Sequence, residues 1–295
     1  MDFRDRVFLA VAEHLSFSKA GTALRISQPA VTRHIRELEA QLEVNLFERK
    51  GPRIKLTTAG ELVYSHLKPI RALYRELLFD LEQAKGDYKG SLRVGASSTI
   101  AQYVIPPVLA AFYKRYPHID LYLFNGNSVE MESRLLANDL DVALVENAAV
   151  HPDLRYLDFA SDEIVAVTAA DGVYARERGL RAEDLQTIPL VLREPGSGTL
   201  EVIQQAFLQQ GWDLEQLNVF LHLGSTESIK NFLPGFSGVA LVSEKAIDKE
   251  LRLRSLVQLP LRGFSIRRSL RVATRQGHLI SPARLFVDFL TNYNL

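Results

Sequence analysis

Residues 25–42 leave the chain little conformational choice. After Arg25-Ile26-Ser27-Gln28-Pro29-Ala30, the apolar residues Val31, Ile35, Leu38 and Leu42 recur at i, i+4, i+7 and i+11. That spacing lines one face of an α-helix, predicted to run on from Ala30 to Leu42. Ser27 suits the N-cap, because its hydroxyl accepts a bond from a first-turn amide. Pro29 falls in the first turn, where a missing N–H costs nothing. Gln28, Thr32, Arg33 and Arg36 lie off the stripe and face outward. Upstream, Phe3, Val7, Phe8 and Val11 mark an earlier helix, and Ser16-Phe17-Ser18-Lys19 interrupts it. Ser16 or Ser18 can cap a short second helix, Lys19 to Leu24.

A short helix, a tight turn and a helix with polar groups near its start is the helix-turn-helix plan. Its chemistry suits duplex DNA: arginine bonds bidentately to guanine, glutamine to adenine, and a threonine methyl packs on thymine. Residues 46–56 then read as a hairpin, or wing, turning at Gly51-Pro52, with Arg49, Lys50, Arg53 and Lys55 offering charge to phosphates or the minor groove. Taken singly, each feature also fits a three-helix bundle with a solvated face, and only their ordered combination argues for DNA.

Five segments carry a more specific likeness: Phe17-Ser18-Lys19-Ala20, Ile26-Ser27-Gln28-Pro29-Ala30-Val31-Thr32, Ile35-Arg36-Glu37-Leu38-Glu39, Leu46-Phe47-Glu48-Arg49 and Leu56-Thr57-Thr58-Ala59-Gly60. In this order the chain resembles the LysR-type transcriptional regulators. The resemblance implies that Gln28, Pro29, Thr32 and Arg33 touch the major groove, that Arg49, Lys50 and Arg53 serve the wing, and that Thr57 and Thr58 lie near the DNA backbone. Ser27 and Arg36 complete the expected DNA-binding set. Two positions depart from the family pattern: Gly21 stands where alanine is usual, and Thr32 where serine is.

Past the head, Val63, Leu67, Ile70, Tyr74, Leu77, Leu81 and Ala84 alternate spacings of four and three. This is a coiled-coil seam, narrower than the face of a helix packed on its own domain. Pro69 removes one backbone bond and is expected to kink the helix near Ser65–His66. Gly86-Asp87-Tyr88-Lys89-Gly90 ends it and marks a hinge. LysR-like proteins dimerise through this element and commonly pair dimers into tetramers.

From residue 92 onward, strand and helix patterns alternate, which predicts α/β architecture with largely parallel sheets. The likeness extends here with weaker motifs and implies the fold of periplasmic solute-binding proteins. The expected fold class is therefore α/β: an N-terminal all-α winged helix-turn-helix, a long linker helix and a two-lobed, periplasmic-binding-protein-like (type 2) effector domain. The expected boundaries are 1–58 for the head, 59–88 for the linker and 90–295 for the effector domain. Within the last, lobe I spans about 90–161 and 265–295, and lobe II about 162–264, with crossovers near Asp162 and Phe264.

Ligands of open α/β sheets bind at strand C-termini beside helix N-termini. Four such points are rich in small donors: Ser97-Ser98-Thr99, Asn127-Ser128, Gly196-Ser197-Gly198-Thr199 and Ser225-Thr226. Free amides and the helix dipole favour an anion at each. Ordinary N-capping explains any one of them. Their convergence on one cleft, which the resemblance implies, points to a small anionic effector. Arg193 either adds charge there or points to solvent.

Composition sets the remaining bounds. The chain has 295 residues, 47% apolar and 24% charged, and no cysteine, so disulfides and thiolate metal sites are excluded. The net charge of zero hides 10 basic against 7 acidic side chains in residues 1–58, and 25 against 28 in the rest. A mildly basic head on an acidic body fits nucleic-acid binding by the head. No apolar run is long enough to span a bilayer, and Met1-Asp2-Phe3-Arg4-Asp5 does not open like a signal peptide. A cytoplasmic, bacterial-type protein is expected. No metal-ligand spacing, nucleophile elbow, phosphate loop or dinucleotide fingerprint is present, so catalytic residues, metal and cofactor are all expected to be none. The acidic pairs Asp139/Asp141 and Glu183/Asp184 read as solvated surface. His34, on the recognition helix, reads as a phosphate contact or a plain surface residue.

The function expected is a sequence-specific regulator that binds a pseudo-palindromic operator in double-stranded DNA under control of a small anionic effector. It would act as a homodimer or homotetramer, with RNA polymerase a further candidate partner and no membrane. The rival readings are a cytoplasmic solute-binding module, which leaves the head unexplained, and an enzyme on the same bilobal fold, which lacks an acid/base set.

Overall fold

A computed structural model describes residues 1–50, 53–85, 88–277, 279 and 281–293. Gly51 and Pro52 of the expected wing turn, and Gly86 and Asp87 of the expected hinge, lie outside the described residues. The chain forms two compact units, Met1–Gly86 and Asp87–Leu295.

The first unit contains α1 (Phe3–His14), α2 (Phe17–Leu24), α3 (Gln28–Leu42), β1 (Phe47–Lys50), β2 (Arg53–Leu56) and α4 (Thr58–Ala84). Ser16 caps α2, its Oγ accepting from the Lys19 amide at 3.3 Å, and Ser27 caps α3 through the Ala30 amide at 3.4 Å. Val31, Ile35 and Leu38 join Val7, Phe8, Val11, Ala20 and Leu46 in one core. Leu42 differs from expectation and is 40% exposed, because α3 ends there, at the left-handed C-cap Glu43. Between α2 and α3 the Ile26 amide bonds back to Gly21 O at 2.9 Å while Arg25 turns left-handed with φ +57°. That is a Schellman turn, usually closed by glycine. A Cβ on Gly21 would stand 2.8 Å from Ile26 O, so its departure from alanine matches a tight turn here.

Strands β1 and β2 pair antiparallel from Phe47↔Leu56 to Lys50↔Arg53. Helix α4 begins on Thr57, whose Oγ1 accepts from the Gly60 amide at 3.0 Å and donates to Asn45 O at 2.6 Å. Gly60 lies so near the preceding segment that a Cβ would fall 2.1 Å from Leu46 O. The helix continues through Pro69. Val63 and Leu67, counted in the seam by spacing, pack instead on the core of the head. Ile70, Tyr74, Leu77 and Leu81 are exposed, as are Leu73 and Leu78 beside them, each between 41% and 61%.

The second unit opens with β3 (Gly90–Ser97), a π-turn at Ile100–Val104, α5 (Ile105–Arg115), β4 (Ile119–Gly126), α6 (Ser128–Leu136) and β5 (Val142–Val145). It continues through β6 (Leu154–Ala169), β7 (Leu190–Arg193), α7 (Gly198–Gln209), β8 (Val219–Leu223), α8 (Thr226–Phe232), β9 (Val239–Ser243), α9 (Asp248–Leu253) and β10 (Leu256–Leu259). It closes with β11 (Ile266–Arg275) and α10 (Ser281–Thr291). The sheet order is β4-β3-β5-β11-β6-β9-β7-β8, with β10 also on β6.

The sheet is mixed rather than largely parallel. β3 pairs parallel with β4 and β5, and β7 with β8 and β9. Between these groups, β6 and β11 run antiparallel over Leu154–Ile164 and Ile266–Arg275. They carry the chain out and back between the two groups, so opposite directions are unavoidable. At Ile164 strand β6 passes from β11 to β9. Separate apolar clusters form on the two sides, one around Met131, Leu135, Leu140 and Val145, the others around Leu192, Ile203, Phe207 and Leu241 and around Val167, Ile229 and Val242.

Two acidic groups read as solvated make structural bonds, and of the two Asp141 is buried. Asp141 is 1% exposed and bonds the Arg93 guanidinium and amide, both at 2.8 Å. Burial with a paired cation replaces hydration there. Asp184 accepts the Arg181 amide at 2.7 Å and closes a short 3-10 turn.

Two stability changes follow. Gly60→Ala forces a methyl against a backbone carbonyl, and is expected to destabilise the head by about 1–3 kcal/mol. Arg25→Gly relieves a left-handed residue and is expected to stabilise it by about 0.5–1 kcal/mol. Urea unfolding followed by far-ultraviolet circular dichroism measures both. An unchanged midpoint for either substitution contradicts the packing described.

Candidate nucleic-acid interface and ligand cleft

On the head, Gln28, Pro29, Thr32, Arg33 and Arg36 line one shallow surface depression with Glu37 and Ala40. The Thr32 hydroxyl donates to Gln28 O at 3.1 Å and accepts from Gln28 Nε2 at 3.1 Å, so the two side chains move as a pair. Arg33 is only loosely held, 3.5 Å from Glu37. Ser27 is exposed but spends its hydroxyl on the cap. Thr57, half-buried, spends its hydroxyl likewise on the cap of α4, while Thr58 is exposed in its first turn. The side chains of Arg49, Lys50 and Arg53 lie outside the described residues. Lys55 pairs with Glu48, and that hydrogen bond raises its pKa. His34 is half-buried, stacks edge-on with Phe3 with centroids 5.2 Å apart, and has its Nδ1 3.5 Å from Glu37.

In the second unit the four donor segments come together. Ser98 Oγ donates to Gly126 O at 3.2 Å, tying the end of β3 to the end of β4. Arg193 Nη2, at the end of β7, reaches both Ser98 Oγ and Gly224 O at 3.4 Å. Gly196 adopts φ +86°, a conformation that favours glycine, and a Cβ there would stand 3.2 Å from Asn127 Nδ2. At Gly198 a Cβ would stand 2.7 Å from both Ser128 Oγ and the Asn147 amide nitrogen. Close backbone approach is thus the role of both glycines.

Capping accounts for two of the predicted residues. Asn127 accepts the Glu130 amide at 2.9 Å and Ser225 the Ser228 amide at 3.1 Å. Ser97 Oγ likewise accepts the Ile100 amide at 3.4 Å. Among the described residues, Thr99 Oγ1, Ser128 Oγ, Ser197 Oγ and Arg193 Nη1 are all buried without a hydrogen-bond partner. Arg193 is 1% exposed and does not point to solvent. Its Nε and Nη2 bond Glu194 at 2.8 and 3.0 Å, which leaves Nη1 over. Thr226 is buried at the start of α8.

Several residues escaped the sequence reading. Arg268 on β11 bonds Asp162 on β6 through Nε at 2.8 Å and Nη2 at 2.6 Å. Its Nη1 donates to Thr199 Oγ1 at 2.9 Å. Glu146, just past β5, accepts from Thr199 at 3.2 Å and from Ser97. Tyr103 OH, on the π-turn, donates to Glu227 on α8 at 2.5 Å. Lys230 bonds Glu227 at 2.8 Å and Glu250 at 2.9 Å. Burial and the Glu227 bond push the Tyr103 phenol far up. Burial also raises the Glu227 carboxyl, but bonds from Lys230 and Tyr103 outweigh it, and it titrates below its ordinary value. Most of these contacts, Arg268–Asp162, Arg268–Thr199, Glu146–Thr199 and Tyr103–Glu227 among them, join segments more than fifty residues apart, and no local spacing announces them.

No group of three or more histidine, aspartate or glutamate side chains among the described residues could hold a metal ion. No described helix is long and apolar enough to cross a membrane.

Comparison with known proteins shows which family both units resemble. The family model for the bacterial regulatory helix-turn-helix protein, lysR family, matches residues 5–61, and that for the LysR substrate binding domain matches residues 85–294. The RuBisCO operon transcriptional regulator of Allochromatium vinosum is 33% identical over 278 residues, 94% of this chain and 91% of that protein. The CcmR regulatory domain of Synechocystis PCC6803, solved in complex with 2-PG, is 29% identical with a TM-score of 0.61, covering 68% of this chain and 95% of that one. Full-length CbnR, solved with its target DNA, shares the fold at 22% identity and a TM-score of 0.70, covering 98% of this chain and 99% of that one. The chain belongs to the LysR family and is a DNA-binding, effector-controlled transcriptional regulator, as its relatives are, rather than an enzyme.

Proposed function

We propose that the outward edge of α3, from Gln28 to Arg36, reads the major groove of a pseudo-palindromic operator, with Arg49, Lys50 and Arg53 of the β1–β2 wing on the flanking phosphates. The separation of faces on α3 supports this: Val31, Ile35 and Leu38 are buried, while Gln28, Arg33 and Arg36 are exposed. The apolar stripe Ile70, Leu73, Tyr74, Leu77 and Leu81 on α4 is the dimer seam. A second copy of α4 there holds two heads about a twofold axis, and paired dimers make a tetramer able to meet RNA polymerase.

The effector is a small anion, a carboxylate or an oxyanion. One observation carries this reading: four buried donors from the converging segments, Thr99, Ser128, Ser197 and Arg193, lack partners. Leaving such groups unmade costs about 1–3 kcal/mol each, which a ligand recovers. The N-terminus of α7 at Gly198 adds free amides and a favourable dipole. The CcmR regulatory domain, which this unit resembles, was solved with 2-PG bound. Binding shifts the relation between heads only by favouring one arrangement over another.

Fluorescence-anisotropy titration of duplex DNA is expected to weaken with salt at a log–log slope of about −0.9 per phosphate neutralised. Arg33→Ala and Arg36→Ala are expected to lose either sequence preference or about one unit of that slope. Salt-independent binding contradicts the interface. A thermal-shift screen of inorganic phosphate, sulfate, small carboxylates and 2-PG tests the cleft. Ser98→Ala is expected to abolish the ligand-induced shift while basal DNA binding persists. A full response in that variant shows the pocket is misplaced.

A further inference from the structure

The cleft already holds an anion of its own. The Glu146 side chain is 1% exposed. Its Oε2 takes the Ser97 hydroxyl, and its Oε1 takes Thr199 Oγ1 at 3.2 Å, with Arg268 Nη1 at 3.5 Å. These are a hydroxyl from the end of β3, a hydroxyl from the first turn of α7 and a guanidinium from β11. Two of the three donors are ones that the anion-binding reading assigns to the effector. The charges around them are otherwise matched: Arg268 pairs with Asp162 at 2.6 Å and Arg193 with Glu194 at 2.8 Å. Glu146 is the carboxylate left over, seated where three donors converge.

Beside it lies a way out. Glu146 also lines a polar cavity of about 360 Å³, together with Gln205, Gln209, Arg267 and Arg271. Arg271 is committed to the Asn147 and Ala149 carbonyls. The Arg267 side chain is 78% exposed and only loosely paired, 3.6 Å from Glu163. A carboxylate rotated out of the donor cluster enters a cavity whose lining offers the amides of Gln205 and Gln209 and the Arg267 cation, with Asp158 as an opposing charge.

We propose that Ser97, Thr199 and Arg268 form the subsite for the effector's anionic group, and that Glu146 is its built-in occupant, displaced into the neighbouring cavity when the effector binds. The proposal rests on the anionic-effector reading and deepens it. Ser97 and Glu146 precede the β6–β11 crossing in sequence while Thr199 follows β6, so the carboxylate ties the two strand groups together without a ligand. An incoming carboxylate or oxyanion makes the same three bonds and releases that tie. Two like charges cannot share the cluster, because at about 4 Å in a partly buried site their repulsion is only weakly screened. Glu146 thereby sets the effector concentration at which the domain responds.

The test uses the full chain, with inorganic phosphate and sulfate as probes, titrated by calorimetry and thermal shift. Glu146→Gln keeps the shape and one acceptor oxygen but removes the competing charge. It is expected to bind the probes about tenfold more tightly than the wild type, the direction that loss of a repelling charge dictates. Ser97→Ala in that background is expected to reverse most of the gain. If the wild type binds and Glu146→Gln binds equally or more weakly, Glu146 is a strut and the displacement is wrong, while the effector reading stands. If neither protein binds any anion, the effector reading falls and takes this inference with it. Should Glu146→Gln not fold, Arg267→Ala removes the exposed cation that receives the displaced carboxylate. About threefold weaker phosphate binding then supports the proposal, on the same electrostatic grounds, and unchanged binding overturns it.

Discussion

The effector domain hangs on the pairing of β6 with β11. In that register Arg268 faces Asp162 directly, and the two side chains form a buried two-bond ion pair. Removing one member of such a pair typically costs about 3–5 kcal/mol, because the other charge is stranded. The pair therefore pins the register of the two strands that every other strand group depends on. It also presents Arg268 Nη1 to Thr199 and Glu146, so the same contact that aligns the crossing orients the ligand cleft. Structure and binding share one guanidinium.

The head solves a different problem. A helix must expose a reading edge and still be rigidly held, and α3 does so by burying Val31, Ile35 and Leu38 against α1 and α2. Its two ends are set by short-range devices: the Ser27 cap at one and the left-handed Glu43 at the other. Leu46 is gripped from both sides, its amide by Glu39 at 2.7 Å and its carbonyl by the Thr57 amide at 3.0 Å. Gly60 then lets α4 start against that segment without collision. The wing is thus anchored to α3 and α4 through the backbone of Leu46, and its own Phe47, Ile54 and Leu56 pack on the core of the head.

Much of the head was legible because its determinants are local. Caps, turns and the i, i+4, i+7 stripe act over a few residues, and Ser27 and Ser16 cap where the spacing indicated. In the cleft the small donors at strand ends were also visible, since Ser97, Asn127, Ser197 and Ser225 each follow an apolar strand run. Spacing could not separate caps from open donors. Asn127 and Ser225 spend their side chains on helix amides, whereas Thr99, Ser128 and Ser197 do not. Strand direction in the mixed sheet is illegible for a related reason. An apolar run such as Val165-Ala166-Val167 looks the same whichever way its partner points.

The sequence by itself determined the head, the linker helix, the alternating α/β character and the four donor segments, because each is encoded by periodicity or by a residue type whose preference acts on its own neighbourhood. Only the tertiary structure decided that Arg193 is buried, that Glu146 sits among Ser97, Thr199 and Arg268, and that Asp141 is a paired charge rather than a wet one. A charged side chain reads as surface in any one-dimensional pattern. Whether it is buried depends on a counter-charge or donor that the fold brings from far along the chain, as Arg268 is brought 106 residues to Asp162.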